Sequence, residues 1–249
     1  MHILHTVKAA FSAIALLAAC LGAARAETVT VYTNATFPPL VVDAKIGLYP
    51  ELVGYLNGLK PGGLEFVIET LPRKRLQVLV ESGALDGIVI GMMPAWMGDP
   101  NRVKYLWTDP FANDSFVMAS TTANPVLFNR IDERSGVRVG VTMGYVYPMI
   151  DEWIARHGLT RDEAPTEERN LDKLMLGRVD AVIVAESVLR YYTKTHRMTS
   201  GIIIEPMPGQ VTERRFLVPK SKQAVYDKLA PVIMHLNADP AWRKIQSQY

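Results

Sequence analysis

Cysteine is nearly absent from this sequence. The chain of 249 residues contains one, Cys20, which lies near the amino terminus. Disulfides need cysteine pairs, and iron–sulfur clusters and cysteine nucleophiles need thiolates, so residues 27–249 carry none of this chemistry. The fold must therefore be stabilised by its apolar core. A chain of this length can bury a large core in one domain or in two lobes.

Long hydrophobic runs are also scarce, with one exception at the amino terminus. An apolar run extends from Ala9 to Gly22, and Ala24-Arg25-Ala26 forms an A-x-A cleavage site. Because the run is shorter than the roughly 20 residues that cross a bilayer, we predict an export signal over residues 1–26 and a periplasmic protein. The alternative is a lipid anchor at Cys20, since Leu17-Ala18-Ala19-Cys20 resembles the lipobox of bacterial lipoproteins.

Sequence motifs for catalysis and cofactor binding are missing as well. No G-x-S-x-G, P-loop or G-x-G-x-x-G occurs, and the histidines at 157, 196 and 235 have no metal-ligand spacing. The formal net charge of +2 is too near zero for a nucleic-acid-binding surface, and the basic residues are scattered among acidic ones. We therefore predict a protein without metal or cofactor that is not an enzyme, binds no nucleic acid and has a small molecule as its partner.

The sequence does contain an alternation of predicted strands and helices, which is typical of an α/β fold. In the first half we predict strands over 28–32, 64–69 and 86–90 and helices over 48–59 and 72–81. After residue 120 the order restarts, with strands over 137–141 and 180–184 and helices over 146–157, 171–176 and 186–195. Two strands over 202–205 and 215–218 and a helix over 222–237 follow.

One short phrase occurs in each half of the chain. Residues 83–90, GALDGIVI, and residues 177–184, GRVDAVIV, share the order glycine, hydrophobic residue, aspartate, small residue and apolar strand. Two copies are too few for a repeat array, so we interpret them as equivalent parts of two similarly built lobes.

Several short motifs follow one another along residues 27–249. In chain order they are Phe37-Pro38-Pro39, Gly47 with Leu48, Gly83-x-x-Asp86, Arg102 before Trp107-Thr108-Asp109-Pro110-Phe111, Gly136-Val137-Arg138-Val139-Gly140-Val141-x-x-Gly144 and Gly177-Arg178-Val179-Asp180-Ala181. This ordered set resembles the family 3 extracellular solute-binding proteins of bacterial ABC transporters.

The resemblance implies a two-lobed periplasmic binding protein of type II. Each lobe would be a mixed sheet covered by helices, with residues 27–113 and 213–249 in lobe 1 and residues 118–207 in lobe 2. Two crossovers, near 112–120 and 207–214, would join the lobes and leave the ligand cleft between them. The family's activity would make this chain a monomer that captures a small polar or amino-acid-like solute for an ABC permease in the inner membrane.

Two alternatives on the same fold stay open. One is a sensory binding module that delivers its ligand to a membrane receptor. The other is a periplasmic lyase similar to cyclohexadienyl dehydratase, in which Glu186 would supply an acid and Arg102 or Arg75 a cation.

The first predicted ligand contacts come from loops that follow two strands of lobe 1, because ligands of open α/β sheets bind at the carboxyl ends of the strands. Met93 and Trp96 follow the strand over 86–90, where the resembling family presents hydroxyl residues. A thioether and an indole suit apolar groups or a quaternary ammonium. The Phe37 ring, in the aromatic-proline loop, would stack on the ligand. The alternatives are core packing for Met93 and Trp96 and a rigid surface turn for Phe37.

Two arginines are predicted to bind an anionic group of the ligand. Arg102 resembles in position the family arginine that pairs with a carboxylate, which a guanidinium can bind through two oxygens. Arg75 lies in a run of three cations at a predicted helix N-terminus, where the macrodipole disfavours positive charge unless an anion is near. For both residues the alternative is a solvated surface side chain.

Three further contacts are predicted in lobe 2. Tyr145 and Tyr147 lie in the turn between a strand and a helix, where the resemblance implies backbone N–H donors for a carboxylate. Glu186 follows Ala185, the position at which the family often has an aspartate for the ligand's amino group. The alternatives are tyrosines that pack on the lobe and a glutamate that favours the helix N-terminus.

Overall fold

A computed structural model describes residues 27–145, 147–198 and 200–249 of the chain. The predicted export signal over residues 1–26, including Cys20, lies outside the described residues. Within the described ranges, none of the helices combines the length and the hydrophobicity that a bilayer crossing requires.

Lobe 1 is built from strands β1–β4 with two helices between them and two at the chain's end. Alternating buried residues make β1 and β2 half-buried strands, whereas β3, with five buried residues, is a central strand. The elements are β1 (Glu27–Thr33), α1 (Leu48–Leu59), β2 (Leu64–Thr70), α2 (Arg73–Glu81), β3 (Ile88–Met92), β4 (Leu106–Trp107), α6 (Gln223–Leu236) and α7 (Pro240–Gln246).

Lobe 2 follows the same plan with three strands and three helices. The central strand β8 is buried at all five positions, and the helix before it begins at a Thr166 cap whose hydroxyl accepts the Arg169 N–H at 3.2 Å. The elements are β6 (Arg138–Thr142), α3 (Pro148–Arg156), β7 (Thr160–Ala164), α4 (Glu167–Met175), β8 (Ala181–Ala185) and α5 (Glu186–Thr195).

Two long strands, β5 (Ala112–Thr121) and β9 (Ile202–Val218), connect the lobes. They run antiparallel to each other, with Ala112 opposite Arg214 and Thr121 opposite Ile202. Strand β9 pairs with β3 and β4 of lobe 1, and β5 pairs with β8 of lobe 2. The described strands thus form one sheet in the order β2-β1-β3-β9-β5-β8-β6-β7, with β4 beside β9.

The apolar cores follow the two lobes. Lobe 1 has one core on each face of its sheet, formed around Leu52, Phe111 and Trp242 on one face and Leu76 and Trp107 on the other. Lobe 2 has a single core that contains buried side chains from 116 to 192. The two-lobe prediction agrees with this division, while the bounds 27–113, 118–207 and 213–249 stay a prediction.

Several predicted elements differ from those of the structure. The helix over 48–59 has the predicted bounds, but the helix over 171–176 begins earlier, at Glu167. The regions around 112–120 and 207–214, predicted as extended connections, are parts of β5 and β9. Strand β7 and helix α7 were not predicted. The sequence of β7, Thr-Arg-Asp-Glu-Ala, is polar because the strand lies at the sheet edge.

Candidate functional site

The loops at the carboxyl ends of β1, β3, β6 and β8 meet between the two lobes. Phe37, in the loop after β1, packs against the core of lobe 1 and also against the core of lobe 2. Its ring is therefore part of the contact between the lobes. We call this region the interlobe site, and Tyr49, Arg73, Tyr145, Glu167 and Arg214 are its polar residues.

Tyr49 forms the base of the interlobe site on the side of lobe 1. Its hydroxyl lies against Gly91, where a Cβ atom on the glycine would be 1.9 Å from the Tyr49 oxygen. Gly91 also has a φ of +81°, which disfavours any residue with a Cβ. The Tyr49 hydroxyl therefore fits in the site because the residue near the end of β3 is glycine and has no Cβ atom. Burial raises the pKa of Tyr49, although Arg214 partly opposes this.

Arg214, on β9, connects this base to lobe 2. One guanidinium nitrogen donates to the Tyr49 hydroxyl at 3.1 Å and the other to the Asp114 carboxylate on β5 at 3.1 Å. Asp114 also accepts the backbone N–H of Ser187 at 3.2 Å and its hydroxyl at 2.6 Å. Burial alone would lower the pKa of Arg214, but Tyr49 and Asp114 outweigh burial and raise it. The buried pair thus links α1 of lobe 1 to α5 of lobe 2.

Arg73, the first residue of α2, directs its guanidinium toward the segment that follows β3. Its two terminal nitrogens lie 3.0 Å from the Met92 sulfur and 3.3 Å from the Trp96 carbonyl oxygen, to which they donate. Burial lowers the pKa of Arg73, and Tyr145 of lobe 2 and Glu81 partly offset this. Among the described residues, no carboxylate pairs with this half-buried cation.

The Met-Met-Pro-x-Trp segment after β3 forms a compact turn. Met92 and Met97 are buried in the lobe 1 core, Met93 is half-buried, and Trp96 is 37% exposed. The carboxylate of Asp99 holds the end of the turn by accepting four N–H groups, from the backbone of 103, 104 and 105 and from the Trp107 indole, at 2.7–3.2 Å. Burial opposes ionisation of Asp99, but these donors outweigh it and lower its pKa.

The turn between β6 and α3 supplies the lobe 2 side of the interlobe site. Tyr145 is half-buried, and burial, together with the charge of Glu167, raises its pKa to about 12. Tyr147 is buried in the lobe 2 core, edge-to-face with Phe116 at 5.3 Å between ring centroids. Among the described residues, the buried hydroxyls of Tyr147 and Thr142 have no hydrogen-bond partner. Of the two tyrosines, Tyr145 is the one whose pKa is also influenced by Tyr49 and Arg73 of lobe 1.

Glu167 was not predicted as a site residue, yet it is the buried acid of lobe 2. It is 2% exposed at the start of α4, and its carboxylate accepts the backbone N–H of Ala185 at 3.1 Å. Burial raises the pKa of Glu167 to about 7. The Ala185 N–H opposes this shift, Asp114 adds to it, and Arg214 opposes it. The sequence signal was the spacing to Leu171 and Leu174, which puts Glu167 on the apolar face of α4.

Three predicted residues remain, and one of them, Glu186, lines a cavity together with Arg214 of the interlobe site. Arg75 is exposed, and the side chain of Arg102 is 51% exposed, with its guanidinium 3.9 Å from the Glu213 carboxylate. Glu186 accepts the Ser115 hydroxyl at 2.9 Å and a guanidinium N–H of Arg190 at 2.6 Å. The structure thus places Met93 and Trp96 in one turn and Tyr145 beside Tyr147, while the side chains of Arg75 and Arg102 are exposed.

A cavity of about 390 Å³ lies beside the crossover strands. Residues of both lobes line it, including Leu48, Asp114, Glu186, Arg190 and Arg214. Of the predicted ligand contacts, Glu186 alone lines this cavity. Within the described ranges, no three histidine, cysteine or acidic side chains are grouped as ligands of a metal ion.

Comparisons with known proteins place this geometry in a known fold. No protein-family model and no curated protein sequence matches the chain. Among solved structures, an ancestral arginine-binding protein bound to arginine is 19% identical, with a TM-score of 0.70 over 90% of this chain and 99% of that chain. The substrate-binding protein of an amino acid ABC transporter is 20% identical, with a TM-score of 0.65 over 89% and 98%.

A third solved structure is a histidine kinase sensor domain with similarity to periplasmic binding proteins. It is 16% identical, with a TM-score of 0.66 over 90% of this chain and 96% of that chain. At these identities the likeness shows the fold. The predicted fold class, a two-lobed α/β periplasmic binding protein of type II with a cleft between the lobes, is confirmed.

Proposed function

We propose that this protein is a periplasmic solute-binding protein that captures a small polar solute with an apolar part for an ABC permease in the inner membrane. The observation that carries this proposal is the convergence of groups from both lobes on one site. Phe37 of lobe 1 packs against the cores of both lobes, and at the same site Arg73 of lobe 1 and Tyr145 of lobe 2 influence each other's pKa. A solute between them would contact both lobes at once.

Contacts from both lobes are what a closing binding protein needs. A ligand shifts a conformational equilibrium only by as much as its affinities for the two states differ. A solute that contacts both lobes binds the closed state better, and the crossovers β5 and β9 are the segments about which closure would occur. The permease would then bind the closed, loaded form. We expect a monomer, exported by the signal over residues 1–26, with a lipid anchor at Cys20 as the alternative to release.

A thermal-shift screen of the purified protein tests this proposal. The library contains amino acids, their carboxylic-acid and amine analogues, quaternary amines and short peptides. A ligand at a hundred times its dissociation constant adds about 2.7 kcal/mol to the free energy of unfolding, which raises the melting temperature by roughly 5–10 °C for a chain of this size. One chemical class that raises the melting temperature supports the proposal, and no shift across the whole library contradicts it.

A sensory module is the second candidate, and the likeness to a histidine kinase sensor domain favours it. The same interlobe site would bind the solute, but the closed form would bind a receptor. Capture experiments with the loaded protein distinguish the two, because a permease and a receptor kinase differ in sequence and are identified directly by mass spectrometry.

A further inference from the structure

The charges of the interlobe site are unbalanced, and Arg73 is the source of the imbalance. Its guanidinium donates to one carbonyl oxygen and to two thioether sulfurs, which are weak acceptors. Among the described residues no carboxylate pairs with it, although burial lowers its pKa. Its neighbour Arg75, in the same helix turn, is exposed to water and has no such need of a partner. A half-buried cation without an anion costs stability, which a bound anion would restore.

In contrast to Arg73, the acidic side chains around the interlobe site already have hydrogen-bonding partners. Asp114 accepts from Arg214 and twice from Ser187. Glu186 accepts from Ser115 and Arg190, and Glu213 accepts from Arg215 at 2.6 Å. A ligand ammonium group would have to compete for carboxylates that are already bonded.

Glu167 is the remaining acid near the site. It is buried at the start of α4, and the N–H of Ala185 binds its carboxylate. The charged and titratable groups that influence or face it are Asp114 on β5, Arg214 on β9 and the tyrosines at 145 and 147 before α3. The Glu167 carboxyl is 2% exposed and already accepts the Ala185 N–H, so it presents little surface to a ligand ammonium, and burial disfavours its charged form. The strand end beside it carries Ala185, which has no charge to offer.

We infer that the solute is a monocarboxylate with an apolar body and no ammonium group, and that Arg73 binds its carboxylate. This inference rests on the proposed function of the same site. A planar guanidinium can bind a carboxylate through two parallel hydrogen bonds, which fits a single cation facing a single anion. Trp96, which is 37% exposed and follows β3 of the same lobe, is available to pack against the apolar body, and the half-buried Phe37 ring borders the interlobe site.

Isothermal titration calorimetry with matched probes tests the inference. The probes share a skeleton and differ in charge: 3-phenylpropanoate, phenylalanine and phenethylamine, and 4-methylpentanoate, leucine and isopentylamine. We expect the carboxylates to bind at least tenfold more tightly than the amino acids and the amines not to bind. An amino acid that binds as tightly as its carboxylate partner overturns the inference and leaves the proposed function intact. A library without any binder overturns both.

Variants at Arg73 and Arg75 test the role of the guanidinium. Arg73→Gln should weaken binding of the best carboxylate roughly thirtyfold or more, as expected when one partner of a buried charged pair is removed. Arg75→Gln, the matched control in the same helix turn, should leave the affinity unchanged. Equal effects of the two substitutions would overturn the assignment of Arg73.

The free protein gives a check that needs no ligand. Arg73→Met removes a half-buried cation that has no anion, so the melting temperature should rise by about 2–4 °C. Arg75→Met is the control, because it removes an exposed cation from the same helix turn. Its change in melting temperature measures the effect of the helix dipole alone. A melting temperature that falls on Arg73→Met would show that the guanidinium is a structural group, and the inference would fail.

Discussion

Replacing Gly91 by alanine should destabilise the protein through three separate effects. The φ of +81° costs a residue with a Cβ about 1–2 kcal/mol. The new Cβ would lie 1.9 Å from the Tyr49 hydroxyl oxygen and 2.4 Å from the ring carbon that bears it, so the tyrosine must move. Overpacking of this kind costs about 1–3 kcal/mol. Movement of Tyr49 also breaks its bond with buried Arg214, which adds about 1–3 kcal/mol.

The total loss expected for Gly91→Ala is therefore about 3 kcal/mol or more. Gly83 is the matched control, because it has a φ of +72° but no atom lies within 4 Å of the position of its Cβ. Gly83→Ala should cost only the backbone part, about 1–2 kcal/mol. Urea denaturation monitored by circular dichroism measures both losses. If the two substitutions cost the same, Tyr49 does not occupy the space at Gly91 and does not form the base of the interlobe site.

Three further predictions concern the interlobe site and the link between the lobes. Trp96→Ala should weaken ligand binding by about 1–3 kcal/mol in calorimetry. The melting temperature should not change, because the side chain is exposed. An unchanged affinity would show that Trp96 does not contact the ligand. Asp114→Ala should lower the free energy of unfolding by about 3–5 kcal/mol, since it leaves Arg214 buried without its anion, and a loss below about 1 kcal/mol would contradict this. Burial gives Glu167 a pKa of about 7 in the folded state, above its ordinary value of 4.5. Between these two pH values the folded state binds the proton more tightly than the unfolded state does. The free energy of unfolding should therefore fall by up to about 3 kcal/mol as the pH rises from 4.5 to 7. Glu167→Gln should flatten that part of the pH profile, and an unchanged slope would exclude this carboxyl as its cause.

Much of the fold was predictable because the local signals and the packing agree. Helix α1 has its apolar spacing from Leu48 to Leu59 and a left-handed C-cap at Lys60, before Pro61. The crossovers were located through the family resemblance, but their pairing as one long antiparallel ladder was not predicted. Residues 112–120 and 207–214 have no regular hydrophobic alternation of their own, so periodicity does not reveal the ladder in which they pair.

The site was less predictable than the fold, since it depends on which side of a helix a charged residue occupies. Three cations begin α2, and their charge does not show which of them lies on the inward face of the helix. Arg73 is three residues before buried Leu76 and seven before buried Val80, so it lies on the inward face of the helix, while Arg75 lies on another face. Glu167 has the same relation to Leu171 and Leu174 on α4. In both helices, the spacing to buried apolar residues shows which charged side chain lies on the inward face. The grouping of charges along the sequence does not show this.

The central claim is that a solute bound between Arg73 and Tyr145 closes the two lobes. Hydrogen–deuterium exchange of the purified protein, with and without the best ligand from the screen, measures this directly. We expect slower exchange in both lobes at once, in residues 37–40 and 92–97 of lobe 1 and around 142–145 of lobe 2. Protection confined to one lobe, or to a surface away from these segments, would contradict it.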